Sequence, residues 1–323
     1  MWRIFIIVSM ASSVSASAQE SGWLRELRRA KSLESQGDYR AARQVLLGRV
    51  GATKNVDDKA AAAVFNNLAT STHQLGDYRA AEKYYRESMR RLKLAGDAGT
   101  EFQDRVLSNL AVLYGARGQY AKGRKLLLQV LEDRFERYGP RDASVALALH
   151  NIGAILIVEG NYASAEGYLR RALSILTNVE TPSGELGMVY GTLARSFYER
   201  GDYDQAEKFA NDALTILQSN SKKPAALIDA LILAARTAAR RGAYPEAAGQ
   251  LTQAMSVARR SFGEQSPNSA YVLLAQSELE HRQKRNAEAK RLAAQANGLL
   301  AAHAQKNSLG QTVDYGLLRV SPR

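Results

Sequence analysis

The chain has 323 residues, is 46% hydrophobic and 24% charged, and carries a formal net charge of +12. It has no cysteine, which excludes disulfides, thiolate metal sites and a lipid anchor on an N-terminal cysteine. The basic residues are spread among acids, as in the Arg-rich run beside Glu132, Asp133 and Glu136, with no interleaved aromatic and basic stripe for stacking bases, so no nucleic-acid partner is expected.

The first 18 residues, MWRIFIIVSMASSVSASA, combine one early positive charge at Arg3, an apolar run from Ile4 to Met10 and the small-x-small stretch Ala16-Ser17-Ala18. This is the pattern of a secretory signal peptide, cleaved near Ala18-Gln19. The apolar run falls well short of the ~20 residues that a membrane span needs, and no later segment is apolar enough. The mature chain is therefore expected to be exported, periplasmic or secreted, and to have no span. Loss of Arg3 leaves it at +11.

Residues 19–305 read as an array. Six turns share one signature: Gly37-Asp38-Tyr39, Gly76-Asp77-Tyr78, Gly118-Gln119-Tyr120, Gly160-Asn161-Tyr162, Gly201-Asp202-Tyr203 and Gly242-Ala243-Tyr244. Their tyrosines are 39, 42, 42, 41 and 41 residues apart, the mark of stacked copies of one supersecondary unit. Upstream of each turn the apolar residues fall at helical spacing, as in Leu193, Ala194, Phe197 and Tyr198. The glycine then ends the helix in a left-handed conformation that it adopts cheaply. Asp38, Asp77, Asn161 and Asp202 follow it, with side chains that can cap the next helix. Three residues after the tyrosine stands a small residue, Ala42, Ala81, Gly123, Ala165, Ala206 or Ala247, which lets the two helices of a hairpin approach closely.

In chain order the repeats lie near 21–50, 58–95, 100–138, 141–180, 184–220, 224–263 and 267–305. The first has a basic opening helix with few apolar positions, as suits a terminal unit with one solvated face. Pro140, Pro182, Pro224 and Pro267 fall between repeats, and Pro245 falls in a first helical turn, where its missing amide costs little. The seventh repeat is degenerate, with Lys284 and Asn286 where glycine and tyrosine would stand, and reads as the C-terminal cap. The tail, 306–323, carries Val313, Tyr315, Leu317 and Leu318. It either folds back onto the last helix or offers itself to another molecule.

Paired helices with Leu-Ala in the first, Gly-x-Tyr at the turn and Ala three residues on resemble the tetratricopeptide repeat. Tyr138-Gly139-Pro140 followed by SVALALHNIGAIL, and Phe262-Gly263-Glu264-Gln265-Ser266-Pro267, are similar to the connections of the kinesin-light-chain-type variant, which accommodates the ~42-residue period. The resemblance implies an all-α fold, an α-solenoid wound as a right-handed superhelix of about seven antiparallel hairpins. It also implies that the first helices line a concave face and that asparagine just before the Leu-Ala pair holds the main chain of an extended peptide. Here that position is Asn67, Asn109, Asn151, Thr192 and Leu233. An amide both donates and accepts, which suits a peptide backbone. It equally suits bonding to neighbouring helices within the stack, and the sequence leaves both readings open.

On the same helical face come Thr70, His73 and Gln74, then Arg105, His150, Arg195 with Glu199, and Asp229 with Arg236 and Arg240. Four arginines against two acids point to an acidic peptide or protein partner. The bland reading is that these arginines form ordinary solvated faces with apolar stems. Catalysis finds no support: His73, His150, His281 and His303 are far apart in sequence, and no phosphate loop, GxSxG elbow or HExxH motif occurs. No enzyme activity, metal or cofactor is expected. The sequence therefore reads as a non-enzymatic protein-interaction scaffold. The alternative is a structural envelope protein held to anionic surface polymers by its basic surface.

Overall fold

The computed structural model describes residues 22–36, 38–51, 57–97, 99–178, 184–219 and 223–307. The expected signal peptide, its cleavage site, Gly37, Pro182 and the tail from residue 308 on lie outside them. The described residues form fourteen helices and no strand. They are α1 (Gly22–Ser35), α2 (Tyr39–Val50), α3 (Asp58–Gln74), α4 (Tyr78–Leu94), α5 (Glu101–Ala116), α6 (Tyr120–Tyr138), α7 (Ala143–Val158) and α8 (Tyr162–Leu176). Then follow α9 (Gly184–Glu199), α10 (Tyr203–Ser219), α11 (Pro224–Arg240), α12 (Tyr244–Phe262), α13 (Pro267–Arg282) and α14 (Asn286–Asn307). The fold is an α-solenoid of antiparallel helix pairs.

The turn chemistry is local. Gly76 and Gly201 take φ of 81° and 82°, which lets the chain reverse between helices of one hairpin. The side chains of Asp38, Asp77, Asn161 and Asp202 accept from the amides of Ala41, Ala80, Ser164 and Gln205 at 3.2, 3.0, 3.3 and 3.2 Å. In the seventh turn Lys284 has no glycine's freedom and still adopts φ 63°. A left-handed conformation costs a residue with a Cβ roughly 1–2 kcal/mol. Lys284→Gly is expected to stabilise the protein by about 1 kcal/mol, read as a higher urea midpoint at unchanged slope.

The small residue after each tyrosine lies at the closest approach of the paired helices: Ala42, Ala81, Ala165, Ala206 and Ala247 are completely buried. In α7 no face is polar, and every residue from Val145 to Ile157 is buried. Gly153 lies inside α7 because no larger residue fits. An ideal Cβ there would stand 2.6 Å from Leu169 Cγ of α8. Gly167 in α8 meets nothing within 4 Å. The two glycines should thus respond oppositely to alanine. Gly167→Ala gains about 0.5–1 kcal/mol of helix preference, whereas Gly153→Ala is expected to lose roughly 1–3 kcal/mol to overpacking. Denaturant titration of both variants measures the contrast.

The chain divides into two compact units, one comprising residues up to Glu136 and from Ala304 on, the other Arg137–His303. Within the first, α1 touches α3 and α3 touches α5. Within the second, α7, α9, α11 and α13 touch in succession. The second helices of each hairpin, α8, α10 and α12, do not meet one another among the described residues, and each instead packs on the first helix of the next repeat. The first unit's core gathers Ala62, Ala69, Tyr85, Leu92, Val106 and Leu113, and a second cluster joins Ala30 and Leu46 of the first hairpin to Leu68 of α3.

Candidate functional site

In the first unit, the residues singled out on α3 and α5 form a polar seam between repeats. Asn109 Nδ2 donates to Asn66 Oδ1 at 3.1 Å, and Asn66 Nδ2 donates to Asn67 Oδ1 at 3.3 Å. Asn66, next to the position that the sequence picks out, is the buried member, and Asn67 and Asn109 are half-buried. Thr70 Oγ1 donates to the Asn66 carbonyl at 3.0 Å and lies 3.2 Å from the hydroxyl of the buried Tyr85. His73 sets its ring edge against Tyr78, the centroids 5.6 Å apart, and burial pulls its pKa down to about 4. Gln74 is exposed. The Arg105 guanidinium lies 4.9 Å from the Phe102 ring centroid, and burial lowers its pKa.

In the second unit, His150 and Asn151 are buried within α7. His150 Nε2 lies 2.9 Å from Thr192 Oγ1 on α9, and Nδ1 lies 3.3 Å from Asn151 Oδ1. Burial holds the His150 pKa down at about 4. Thr192 is half-buried and its hydroxyl also lies 2.9 Å from the Met188 carbonyl.

The basic residues cluster further along α9, α11 and α13. Burial lowers the Arg195 pKa to about 10, against the opposing charges of Glu199 and Asp229 and with the repulsion of Arg236. Arg236 Nε donates to Glu278 Oε2 at 2.9 Å, and Arg282 stands 3.7 Å from the other oxygen of the same carboxylate. Arg240, exposed, donates from Nε to the Tyr198 hydroxyl at 3.4 Å and stands 5.9 and 5.7 Å from the Tyr198 and Tyr203 ring centroids. Glu199 is exposed.

A single spacing underlies these contacts. His150 and Thr192, Tyr198 and Arg240, and Arg236 and Glu278 are each 42 residues apart: Arg236 and Glu278 hold the same helical position one repeat on, and the other two pairs are offset from it by one residue. Sequence reasoning passes over Asn66, Tyr198, Glu278 and Arg282. The signal for the last two is there: carrying Arg236 and Arg240 forward by the period lands on Glu278 and Arg282 in the degenerate repeat. Their addition leaves the face with Arg195, Arg236, Arg240 and Arg282 against Glu199, Asp229 and Glu278, one net positive charge within this unit. Among the described residues no group of three His, Asp or Glu is placed to hold a metal ion, and no helix is long and apolar enough to cross a membrane.

Two models, each described as tetratricopeptide repeat, match this chain, one at residues 61–95 and the other at 102–178 and 144–219. Among solved structures, the Rap protein complexed with Competence and Sporulation Factor superposes with a TM-score of 0.64 at 12% identity, covering 90% of each chain. NprR in complex with its cognate peptide NprX gives 0.61 at 15% identity, over 90% of this chain and 78% of that one. BtubC (BKLC) from P. vanneervenii gives 0.52 at 23% identity, over 73% and 91%. At these identities the likeness is one of fold. No curated protein sequence matches the chain significantly.

Proposed function

This chain carries tetratricopeptide repeats, and from that premise we propose that it is a non-enzymatic scaffold that binds an extended, acidic peptide or protein segment along its first helices. The observation that carries the reading is the second unit's row of touching first helices, α7 to α13, with half-buried and exposed arginines in register along it. In a stack where first helices touch and second helices do not, the first-helix side is the inner, more curved one, the side on which such arrays present a binding surface. One structure of similar fold, NprR in complex with its cognate peptide NprX, holds a peptide, which agrees with this use of the fold. A carboxylate on the ligand would find charge-assisted donors in Arg240 and its neighbours.

Arg240 is the residue to test, because it is exposed, and a thermal melt checks that losing its contacts to Tyr198 and Tyr203 leaves the chain folded. Arg240→Glu is expected to weaken binding of an acidic peptide pool at least tenfold and to flatten its salt dependence, read by fluorescence anisotropy at two ionic strengths. Unchanged affinity would leave the arginine row without a ligand. Salt-sensitive binding to anionic polymers that Arg240→Glu does not alter would favour the envelope-associated alternative, which rests on the net charge of +12. The signal-peptide pattern supports a periplasmic or secreted location. Recovery of a chain beginning at Gln19 from the exported fraction is the expected result, and an intact Met1 there would overturn it.

A further inference from the structure

We infer that Glu278 is a built-in counter-carboxylate: it occupies the guanidinium cluster of Arg236, Arg240 and Arg282, and the acidic group of a bound segment enters by taking its place. This rests on the acidic-segment reading above and adds the means by which that site is closed when empty.

Three observations carry it. The first is sharing. One carboxylate on α13 accepts from Arg236 at 2.9 Å, lies 3.7 Å from Arg282 and is within electrostatic reach of Arg240, so this one acid is shared among three cations. The second is space. Arg236, Glu278 and Arg282 rim a notch floored by Ala235, Ala239 and Leu279, which has room for about one water molecule. A second carboxylate-bearing side chain therefore does not fit within the notch beside Glu278, so one that is to lie between Arg236 and Arg282 there takes its place. The third is exposure. The side chains of Arg236, Glu278 and Arg282 are 23%, 34% and 28% exposed, so the carboxylate can swing into water, and a partly solvated pair of this kind is weak.

The consequence is a threshold on the ligand. A neutral segment offers nothing to compensate the cluster for the loss of Glu278, whereas an acidic one replaces like with like. The seventh hairpin is degenerate in its turn, yet it supplies this acid at the register of Arg236, one period on.

The test uses the full chain and two pools of fluorescein-labelled eight-residue peptides, one with four glutamates per peptide and one with glutamines in their place. Glu278→Gln keeps the size of the side chain and removes its charge. It is expected to bind the glutamate pool about five- to tenfold more tightly than the parent, because the competing closed state is removed, and the glutamine pool no better. Adding Arg236→Gln to that variant should return affinity to the parental level or below, with thermal melts confirming that each variant is folded. If the parent binds the glutamate pool selectively and Glu278→Gln binds it equally or less tightly, Glu278 does not compete and the acidic-segment reading survives alone. If neither protein prefers glutamate to glutamine, both fall.

Discussion

Asp104→Ala is expected to cost the protein about 3–5 kcal/mol, one of the largest losses available from a single side chain. Asp104 stands in the first turn of α5 and Arg134 in α6, joined at 3.2 Å between Nε and Oδ2, with side chains only 0% and 5% exposed. Each charge has given up its water, and each is tolerated because the other is there. Removing the acid leaves a buried guanidinium without this carboxylate. It also removes a negative charge from a helix N-terminus, a smaller loss of about 0.3–1 kcal/mol. Because the cost is mainly that of an orphaned charge, replacing both partners with apolar residues, Asp104→Leu with Arg134→Met, should recover most of it. Urea denaturation of the two single variants and the double variant closes the cycle. A single variant within 1 kcal/mol of the parent would mean that water reaches the pair.

The second large effect is with pH. His73 and His150 have pKa values lowered by burial from 6.5 to about 4, so each is neutral in the folded chain at pH values where the unfolded chain already takes up a proton. Their contribution is complete above pH 6.5 and is lost as pH falls toward 4. For the fully buried His150, a shift of this size corresponds to on the order of 3 kcal/mol, and for the half-buried His73 to less. Glu34 acts in the opposite sense. Burial raises its pKa from 4.5 to about 6, against the lowering effect of its 2.5 Å hydrogen bond from Ser71 Oγ, so the folded chain protonates first and gains stability as pH falls from 6 to 4.5. One carboxyl with the smaller shift does not offset two imidazoles. The urea midpoint is expected to fall steadily between pH 6.5 and 4, by about 3 kcal/mol in net stability. His150→Gln should start lower at pH 7.5 but show a shallower acid slope. An unchanged slope would remove His150 as its source.

The period, the hairpins, the caps and the close-packed alanines were all legible in the chain. Each depends on residues within one turn of one another, where the geometry is fixed by a glycine, a capping side chain and a helical spacing. Lys284 shows the same legibility from the other side: a missing glycine marks the one described non-glycine residue with positive φ. The candidate site was legible only as a face. The sequence placed Asn67, Asn109, Arg195, Arg236 and Arg240 on it, and left open whether they turn to a ligand or to each other.

The tertiary structure decided how those side chains are used, because a polar group's partner is set by the roll of one helix against the next, and the partners lie a whole repeat away in the chain. It bonded Asn109 to Asn66, seated His150 against Thr192, half-buried Arg195 and gave Arg236 to Glu278. The repeat period sets the spacing of these residues along the chain. Only packing selects which marks meet, since a rotation of a few tens of degrees about a helix axis exchanges a solvated side chain for a buried one.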